Sequence, residues 1–343
     1  MENKWYIEKG DQGDIVLSTR IRLARNLDAY PFPAKLDAES KKKVSSLIRD
    51  AVLSDGSNAF HCIDMATLTR SQAVSLAERH LISPEFTTNR EGRMLLLTPD
   101  ESVSVMLCEE DHIRLQVMKS GLSLEEAYDI ADKLDTMLDA RLQYAFDERI
   151  GYLTQCPTNL GTAMRASVML HLPALSATGR ISGLAATVSK LGLVIRGAYG
   201  EGSSSRGNIF QLSNQITLGI TEQAAIDNLR AITLQIVAQE RAAQEQLVKS
   251  AAEVDKIWRA RGVLSSARLL SGDEFMELVS LVRMGIARQV FDIPLEKINE
   301  LIVRMQPATL NAANGQDMTP AQRDAVRAEE VRTALLTQGD DAS

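Results

Sequence analysis

The sequence predicts an α+β body over residues 1–245, in which short strands are interspersed with helices, followed by an all-helical body over 246–343. Three observations predict it. Short apolar runs, bounded by polar or Gly-containing breaks, recur up to Leu212 with helical spacing between them. The composition then shifts: from 222 to 261 there is no Pro or Gly, Ala, Gln and Glu abound, and the apolar residues keep a 3.6 period. Beyond that stretch only helix-start signals and helical patterns remain.

Taken in order, 15–17 reads as a strand leading into 18–26, and 41–53 and 68–81 have helical spacing. Strands follow at 94–97, 103–108 and 113–117. Ser123 with Glu126 has the spacing of a capping box, opening an amphipathic helix through Leu124, Ala127, Ile130, Leu134 and Leu138. A strand at 151–153, a helix at 183–191 closed by Gly192, and strands at 194–196 and 209–212 complete the mixed part. The stretch 222–261, through Ile226, Leu229, Ile232, Ile236, Leu247 and Ile257, is one long helix or two joined ones. Ser271 with Glu274 starts a helix through Phe275, Leu278, Val279 and Val282, and another over 295–305 stops before Pro307. Thr319-Pro320-Ala321-Gln322 supplies an N-cap, Pro at N1 and Gln at N3 for a last helix reaching about Leu336.

With 343 residues, 45% of them hydrophobic, the chain can build a large core, and no stretch approaches the ~20 apolar residues of a membrane span. The start of the chain shows no apolar signal segment. Cys62, Cys108 and Cys156 form neither a disulfide framework nor a zinc pattern, which fits a reducing cytoplasm. A net charge of −7 and a pI near 5.3 argue against general nucleic-acid binding and leave room for a local basic pocket.

Five arginines supply such a pocket: Arg20, Arg22, Arg114, Arg165 and Arg196, accompanied by Glu110 and Glu201. Arginines gathered beside glycine-rich turns suit a highly charged anion such as ATP, because the guanidinium fork matches phosphate oxygens and keeps its charge. Carboxylates in the same pocket would repel phosphate, so their natural task is to hold a cationic co-substrate. The combination points to phosphoryl transfer onto a guanidinium.

Taken singly, the segments admit blander readings. Arg20 and Arg22 stand two apart and share a side in extended chain, yet alone they read as an edge strand with solvated charges. Glu109-Glu110-Asp111-His112 reads either as a magnesium site or as a solvated turn. Thr158, Asn159 and Gly161 make a tight turn with Arg165 just beyond, and Cys156 is either a small apolar filler or a thiol partly ionised beside guanidinium groups. The Gly- and Ser-rich stretch 196–207 has the composition of a surface loop and equally of a closing lid. No Walker A or eukaryotic protein-kinase signature is present.

Together these segments resemble the guanidino (phosphagen) kinases, the family of creatine and arginine kinases. The resemblance rests on STRIRLARN at 18–26, EEDHIR at 109–114, CPTNLGTAMRASV at 156–168 and RGAYGEGSSSRGNIFQLSNQ at 196–215, in family order over most of 14–225. Thirteen residues precede Asp14, where animal-type members have a helical domain, and a helical part follows instead. That arrangement resembles the bacterial protein arginine kinases. Arg323-Asp324-Ala325-Val326-Arg327-Ala328 fits that branch's RDxxRA motif.

The resemblance implies a largely antiparallel sheet flanked by helices, then a helical regulatory domain. It implies an ATP site from Ser18, Thr19, Arg20, Ile21, Arg22, His80, Arg114, Arg165, Ala166, Ser167, Val168, Met169, Arg196, Gly197, Ala198, Tyr199, Gly200 and Glu201. Magnesium would be held mainly by the nucleotide. Glu110 and Glu201 correspond to the substrate-clamping carboxylates, Glu110 as base and Glu201 as orienter, with Cys156 beside the guanidinium. The segment 323–328 would bind phosphoarginine allosterically; Arg323 and Arg327, four apart, share a helix face, although alone they read as an exposed charged helix. The implied activity is arginine phosphorylation on proteins, tagging them for a Clp-type unfoldase and protease. The implied partners are protein substrates with exposed arginines, a zinc-binding activator, a heat-shock repressor and further copies of the chain, at least as a dimer. A phosphagen kinase acting on free guanidines and a non-catalytic phosphoarginine reader are the alternatives.

Overall fold

A computed structural model describes residues 4–54, 60–198 and 205–336. Its strands are β1 (Val16–Arg25), β2 (His61–Asp64), β3 (Met94–Leu97), β4 (Val103–Leu107), β5 (Ile113–Ser120), β6 (Phe146–Asp147), β7 (Gly151–Tyr152), β8 (Met164–His171), β9 (Leu193–Gly197) and β10 (Ile209–Asn214). The helices are α1 (Ala38–Leu53), α2 (Arg70–Glu78), α3 (Leu124–Asp139), α4 (Pro173–Ala177), α5 (Ile181–Lys190), α6 (Glu222–Leu247), α7 (Ala251–Ser266), α8 (Gly272–Ala287), α9 (Leu295–Arg304), α10 (Pro307–Ala313) and α11 (Pro320–Leu336). Eight strands form one sheet in the order β2-β3-β4-β5-β1-β8-β10-β9, and β6 and β7 make a small hairpin. Every neighbouring pair in the large sheet is antiparallel.

Side chains alternate across a pleated strand, so each strand divides its residues between two faces. On one face Ile21, Leu23, Leu115, Val117, Ala166, Val168 and Leu212 are buried beneath α3 and α6. This apolar layer fixes the register: a slip of one residue would turn it out to the opposite face. Arg25 also points inward, against the polarity of that layer. Its guanidinium donates to Asp135 of α3 at 2.7 and 3.0 Å and lies 3.5 Å over the Tyr152 ring.

Several expectations needed correction. The strands β2 and β8 and the helix α10 had no separate reading in the sequence. The pattern at 123–126 does not form a capping box: Ser123 Oγ donates to Ser120 O, Glu126 pairs with Lys119, and the Ser123 N–H donates to Thr19 Oγ1. The stretch 222–261, open between one long helix and two joined ones, is two helices, with a break between Leu247 and Ala251, and α7 continues through Gly262. At Thr319 the reciprocal bonds with Gln322 do form, and Ser271 Oγ accepts from the Glu274 N–H.

A second core lies among α7, α8, α9 and α11 and takes in Met169 and Ile209 from the sheet. Polar bonds lock the two together. Arg283 of α8, fully buried, donates to the carbonyls of Gly13 and Asp14, both at 2.7 Å, and to Asn299 Oδ1 at 3.2 Å. Asp14 also accepts from Arg241 of α6 and Arg288, which hold its carboxyl below the ordinary carboxylate range although burial pushes the other way.

For the Arg25–Asp135 pair, burial is the dominant influence and raises the Asp135 carboxyl despite its arginine. Removing one partner leaves a buried charge uncompensated. Asp135→Ala should lower stability by about 3–5 kcal/mol in urea unfolding, whereas Arg25→Met with Asp135→Leu should be close to neutral. Equal losses in the two variants would show that the pair itself is the stabilising element.

Candidate active site

The face of the sheet opposite the core carries the arginines. Arg20 and Arg22 alternate outward from β1, and Arg22 is paired in register with Arg165 on β8 and Gln116 on β5. Arg114 lies two pairs further along β5, opposite Ala24, and Arg20 is opposite Ser167. Across β10 the same face continues through Gln211, whose register partner on β9 is Arg196. Antiparallel pairing thus assembles five arginines from four strands. Gln211 and Gln116, not singled out in the sequence reading, share this face: Arg20 Nη2 donates to Gln211 Oε1 at 2.8 Å and its Nε to Ser167 Oγ at 3.4 Å.

These guanidinium groups crowd one another. Burial, then Arg114 and Arg165, brings Arg20 down to about 10. Burial together with Arg114, Arg20 and Arg165 takes Arg22 well below the usual arginine value. Arg165 is lowered by burial and by Arg196 and Arg114. Glu109 is drawn in among them, bound to Arg114 Nη1 at 2.6 Å and to Ser83 Oγ at 2.8 Å. Such an excess of desolvated positive charge is matched by a polyanion, and its forks suit phosphate oxygens.

The three consecutive acids diverge. Burial is the largest single influence on Glu109 and pushes its carboxyl up, but Arg114, the Glu110 N–H and Ser83 together hold it below the ordinary value. Asp111 accepts from Asn26 Nδ2 at 2.6 Å and from the Gln155 N–H at 2.8 Å, so it ties β1 to the segment before Cys156. Half-buried Glu110 is raised by burial and by its acidic neighbours Asp111 and Glu109. His112 accepts the Leu27 N–H at 3.1 Å and serves the turn rather than the pocket.

Glu110, Asp111, Arg22, Arg114, Arg165 and Cys156 line one cavity of about 220 Å³, closed by Thr158, Asn159 and Ala163. Cys156 Sγ lies 3.1 Å from Thr158 Oγ1. Ser18, His80 and Met169 line a second, mostly apolar cavity with Trp5, Tyr6 and Leu17 and with Asn299, Ile302 and Val303 of α9. His80 sits at a φ of 61°, and burial with Arg20 beside it pushes its ring down to about 3, leaving it neutral at physiological pH.

Other site expectations are placed differently. Thr19, Ile21, Ala166 and Val168 are buried with side chains on the core face, so they support the arginine strands from behind. Arg196 is exposed at the end of β9, followed by Gly197 and by Ala198, which packs on the helical body. Tyr199, Gly200 and Glu201 lie outside the described residues. In α11 the arginines do not converge on an open face. Arg327 is 1% exposed and donates to Met305 O, Leu270 O and Asp324 Oδ1, while Arg323 donates to Met318 O at 2.6 Å. Val326 and Ala328 belong to the helical core, and Ala325 is exposed.

Residues 40–243 match the family model described as ATP:guanido phosphotransferase, C-terminal catalytic domain. The chain belongs to this family. Residues 251–343 match the model described as protein-arginine kinase McsB C-terminal domain. Among curated relatives, "Protein-arginine kinase" of Caldanaerobacter subterraneus subsp. tengcongensis is 45% identical over 327 residues, covering 94% of this chain and 97% of the relative. That of Halothermothrix orenii is 45% identical over 334 residues, covering 96% of each. Among solved structures, the duplicated taurocyamine kinase of Schistosoma mansoni superposes with a TM-score of 0.61 at 26% identity, over 69% of this chain and 36% of that one. Lombricine kinase gives 0.61 at 22% identity over 69% of each chain, a likeness of fold. The guanido phosphotransferase sheet, with α3 and α6 on one face and a helical body packed against Met169 and Ile209, is therefore the architecture that carries the arginines.

Arg165→Lys keeps the charge and loses the fork. A point ammonium cannot make two parallel bonds to a phosphate, so nucleotide affinity and turnover should each fall roughly tenfold or more. Titration calorimetry with ATP and a kinase assay read the two; unchanged values would make Arg165 a structural cation.

Proposed function

We propose that this chain transfers the γ-phosphoryl group of ATP to the guanidinium of arginine side chains in proteins. The observation that carries the reading is one cavity in which Arg22, Arg114 and Arg165 meet Glu110 and Cys156. Phosphate-binding forks and a raised carboxylate face the same space, which is what transfer between a polyanion and a guanidinium needs. Protein arginine, rather than a free guanidine, is favoured by relatives of matching length described as protein-arginine kinases.

In this reading Arg20, Arg22, Arg114, Arg165 and Arg196 hold the phosphates and neutralise the charge on the phosphoryl group in flight. Glu110 orients the attacking nitrogen and takes its proton, Glu201 provides the second clamp, and Cys156 lies beside the guanidinium. A guanidinium titrates above ~12, so its nitrogen attacks only when oriented and relieved of a proton. Ser18, His80 and Met169 belong to the nucleotide end.

Magnesium fits as a passenger of the nucleotide. Glu109 is engaged by Arg114 and Asp111 by Asn26 and Gln155, so the acidic turn leaves Glu110 as its one uncommitted carboxylate. Bound there, the ion would neutralise phosphate charge. The cytoplasmic setting, the Clp-type protease, the zinc-binding activator, the heat-shock repressor and self-association belong to the same proposal. Among the described residues, no helix is long and apolar enough to cross a membrane.

The direct test incubates the enzyme with ATP and either a casein-like protein or free arginine, followed by mass spectrometry for acid-labile phosphoarginine. Phosphoarginine on the protein supports the reading; phosphorylation of free arginine alone overturns the substrate class, and no transfer overturns the activity.

Glu110→Gln removes the base without changing shape, so ATP binding should persist while turnover falls by ~10²–10⁴. The wild-type kcat/KM should fall with acid through a pKa above 4.5, since the active form is the carboxylate and its pKa is raised. Near-normal turnover in the variant would remove Glu110 from the base role.

For α11, phosphoarginine must compete with main-chain carbonyls for Arg323 and Arg327. Arg323→Ala, which spares the buried Arg327, should keep the basal rate and lose the rate change on titrating phosphoarginine. An unaltered response would make this segment purely structural.

A further inference from the structure

The helical body reaches the nucleotide end of the site through a contact the catalytic reading does not use. The short helix α10 begins at Pro307 with no capping side chain of its own, which leaves its first N–H groups to be satisfied from elsewhere. Glu78, the last residue of α2, does this from the other body. Its Oε1 accepts the Ala308 N–H at 3.0 Å, and its Oε2 accepts the Thr309 N–H at 2.7 Å and Thr309 Oγ1 at 2.9 Å. Ser75, one turn earlier on α2, adds a bond to Thr309 Oγ1 at 3.3 Å. An anionic side chain at a helix start is favoured by both the N–H groups and the helix dipole.

Two residues past Glu78 stands His80 in the left-handed region, a conformation that a non-glycine residue keeps only when its surroundings impose it. The surroundings here are specific. The His80 N–H returns to Ala77 O at 2.9 Å, and Gln116 Nε2 of the Arg114-bearing strand donates to His80 O at 2.7 Å. Arg79 between them is ion-paired with Glu101. His80 therefore hangs from the end of α2, and α2 is anchored at that end by α10. The cavity it lines is completed by Asn299, Ile302 and Val303 of α9, the helix directly before α10.

We propose that Glu78 is a positioning residue for ATP: by capping α10 it makes the helical body hold His80 in place at the nucleotide site. The proposal rests on the reading of His80 as part of the ATP site. It follows that the C-terminal body is a working wall of the nucleotide pocket, and that a displacement of α10 changes ATP affinity before it changes the transfer step.

The test measures steady-state kinetics of the full chain with magnesium-ATP and an arginine-containing protein substrate. Glu78→Gln turns one acceptor into an N–H₂ facing main-chain N–H groups, and Thr309→Val approaches the same contact from the other side with a smaller loss. His80→Ala is run in parallel. The expected result is a rise in KM for ATP of roughly tenfold in Glu78→Gln, the scale of one lost charged hydrogen bond, and a smaller rise in Thr309→Val. The kcat at saturating ATP and the KM for the protein substrate should stay within about twofold of wild type, a split that a merely stabilising contact would not produce. If Glu78→Gln fails to fold by circular dichroism, Thr309→Val carries the test. A rise in His80→Ala without one in the two contact variants overturns the relay and leaves the ATP-site reading standing. An unchanged KM for ATP in His80→Ala overturns both.

Discussion

Mutual repulsion among guanidinium groups is the constraint around which the molecule is arranged. Arg20, Arg22, Arg114 and Arg165 project from three adjacent central strands into a partly desolvated space, where burial and the neighbouring guanidinium groups lower the hold of Arg20, Arg22 and Arg165 on a proton. A charge array of this kind cannot hold itself together. The apolar layer behind it, from Ile21 and Leu23 to Val168 and Leu212 under α3 and α6, supplies the stability that the polar face lacks. The same strands thus serve two masters, one face by burying the core and the other by carrying the charge array. Gln211, Ser167 and Glu109 hold individual guanidinium groups in orientation without cancelling the field.

Local chemistry was legible where the sequence carries it locally. The two-residue spacing of Arg20 and Arg22 survives as strand alternation, and the Thr319–Gln322 bonds start α11 as their residue types require. What could not be read was tertiary. Arg20 and its partner Ser167 stand 147 positions apart, and no local pattern announces that register. β8 hid behind a turn-rich prelude, since Met164–His171 has no clean alternation when both faces are covered. Ser123 and Glu126 have the right spacing for a capping box, but Ser120 and Lys119 compete for their side chains and win. Arg25, in the same segment as Arg20 and Arg22, had no reading of its own; the pleat turns it inward to Asp135, where it anchors α3. The RDxxRA segment met a similar fate, with Arg327 spent on carbonyls within the helical core.

The helical body is more than an appendage in this arrangement. Arg283 draws the chain just before β1 onto α8, so the strand that bears two of the arginines starts from a point fixed by the second body. His171, at the end of β8, is bound to Ser280 of the same helix at 2.8 Å. Both central arginine strands are therefore pinned at one end by α8, and the relative height of their guanidinium groups depends on it.

The divergence of the acidic turn has one more consequence. An enzyme that phosphorylates guanidinium groups has lined its own cavity with them, and must spare its own. Proximity to the phosphate does not distinguish the two; the acceptors that face them differ. Arg114 faces Glu109, a carboxylate whose affinity for protons that arginine itself has depressed, and Arg20 faces the amide oxygen of Gln211, which is no base at all. The neighbouring Glu110 has the opposite bias, its proton affinity raised by the acids around it. In the proposed reading, a guanidinium arriving from outside meets the carboxylate of higher proton affinity, while Arg114 and Arg20 are held by weaker acceptors. Two adjacent glutamates, differing only in which way the turn sends them, separate the substrate from the machinery that resembles it.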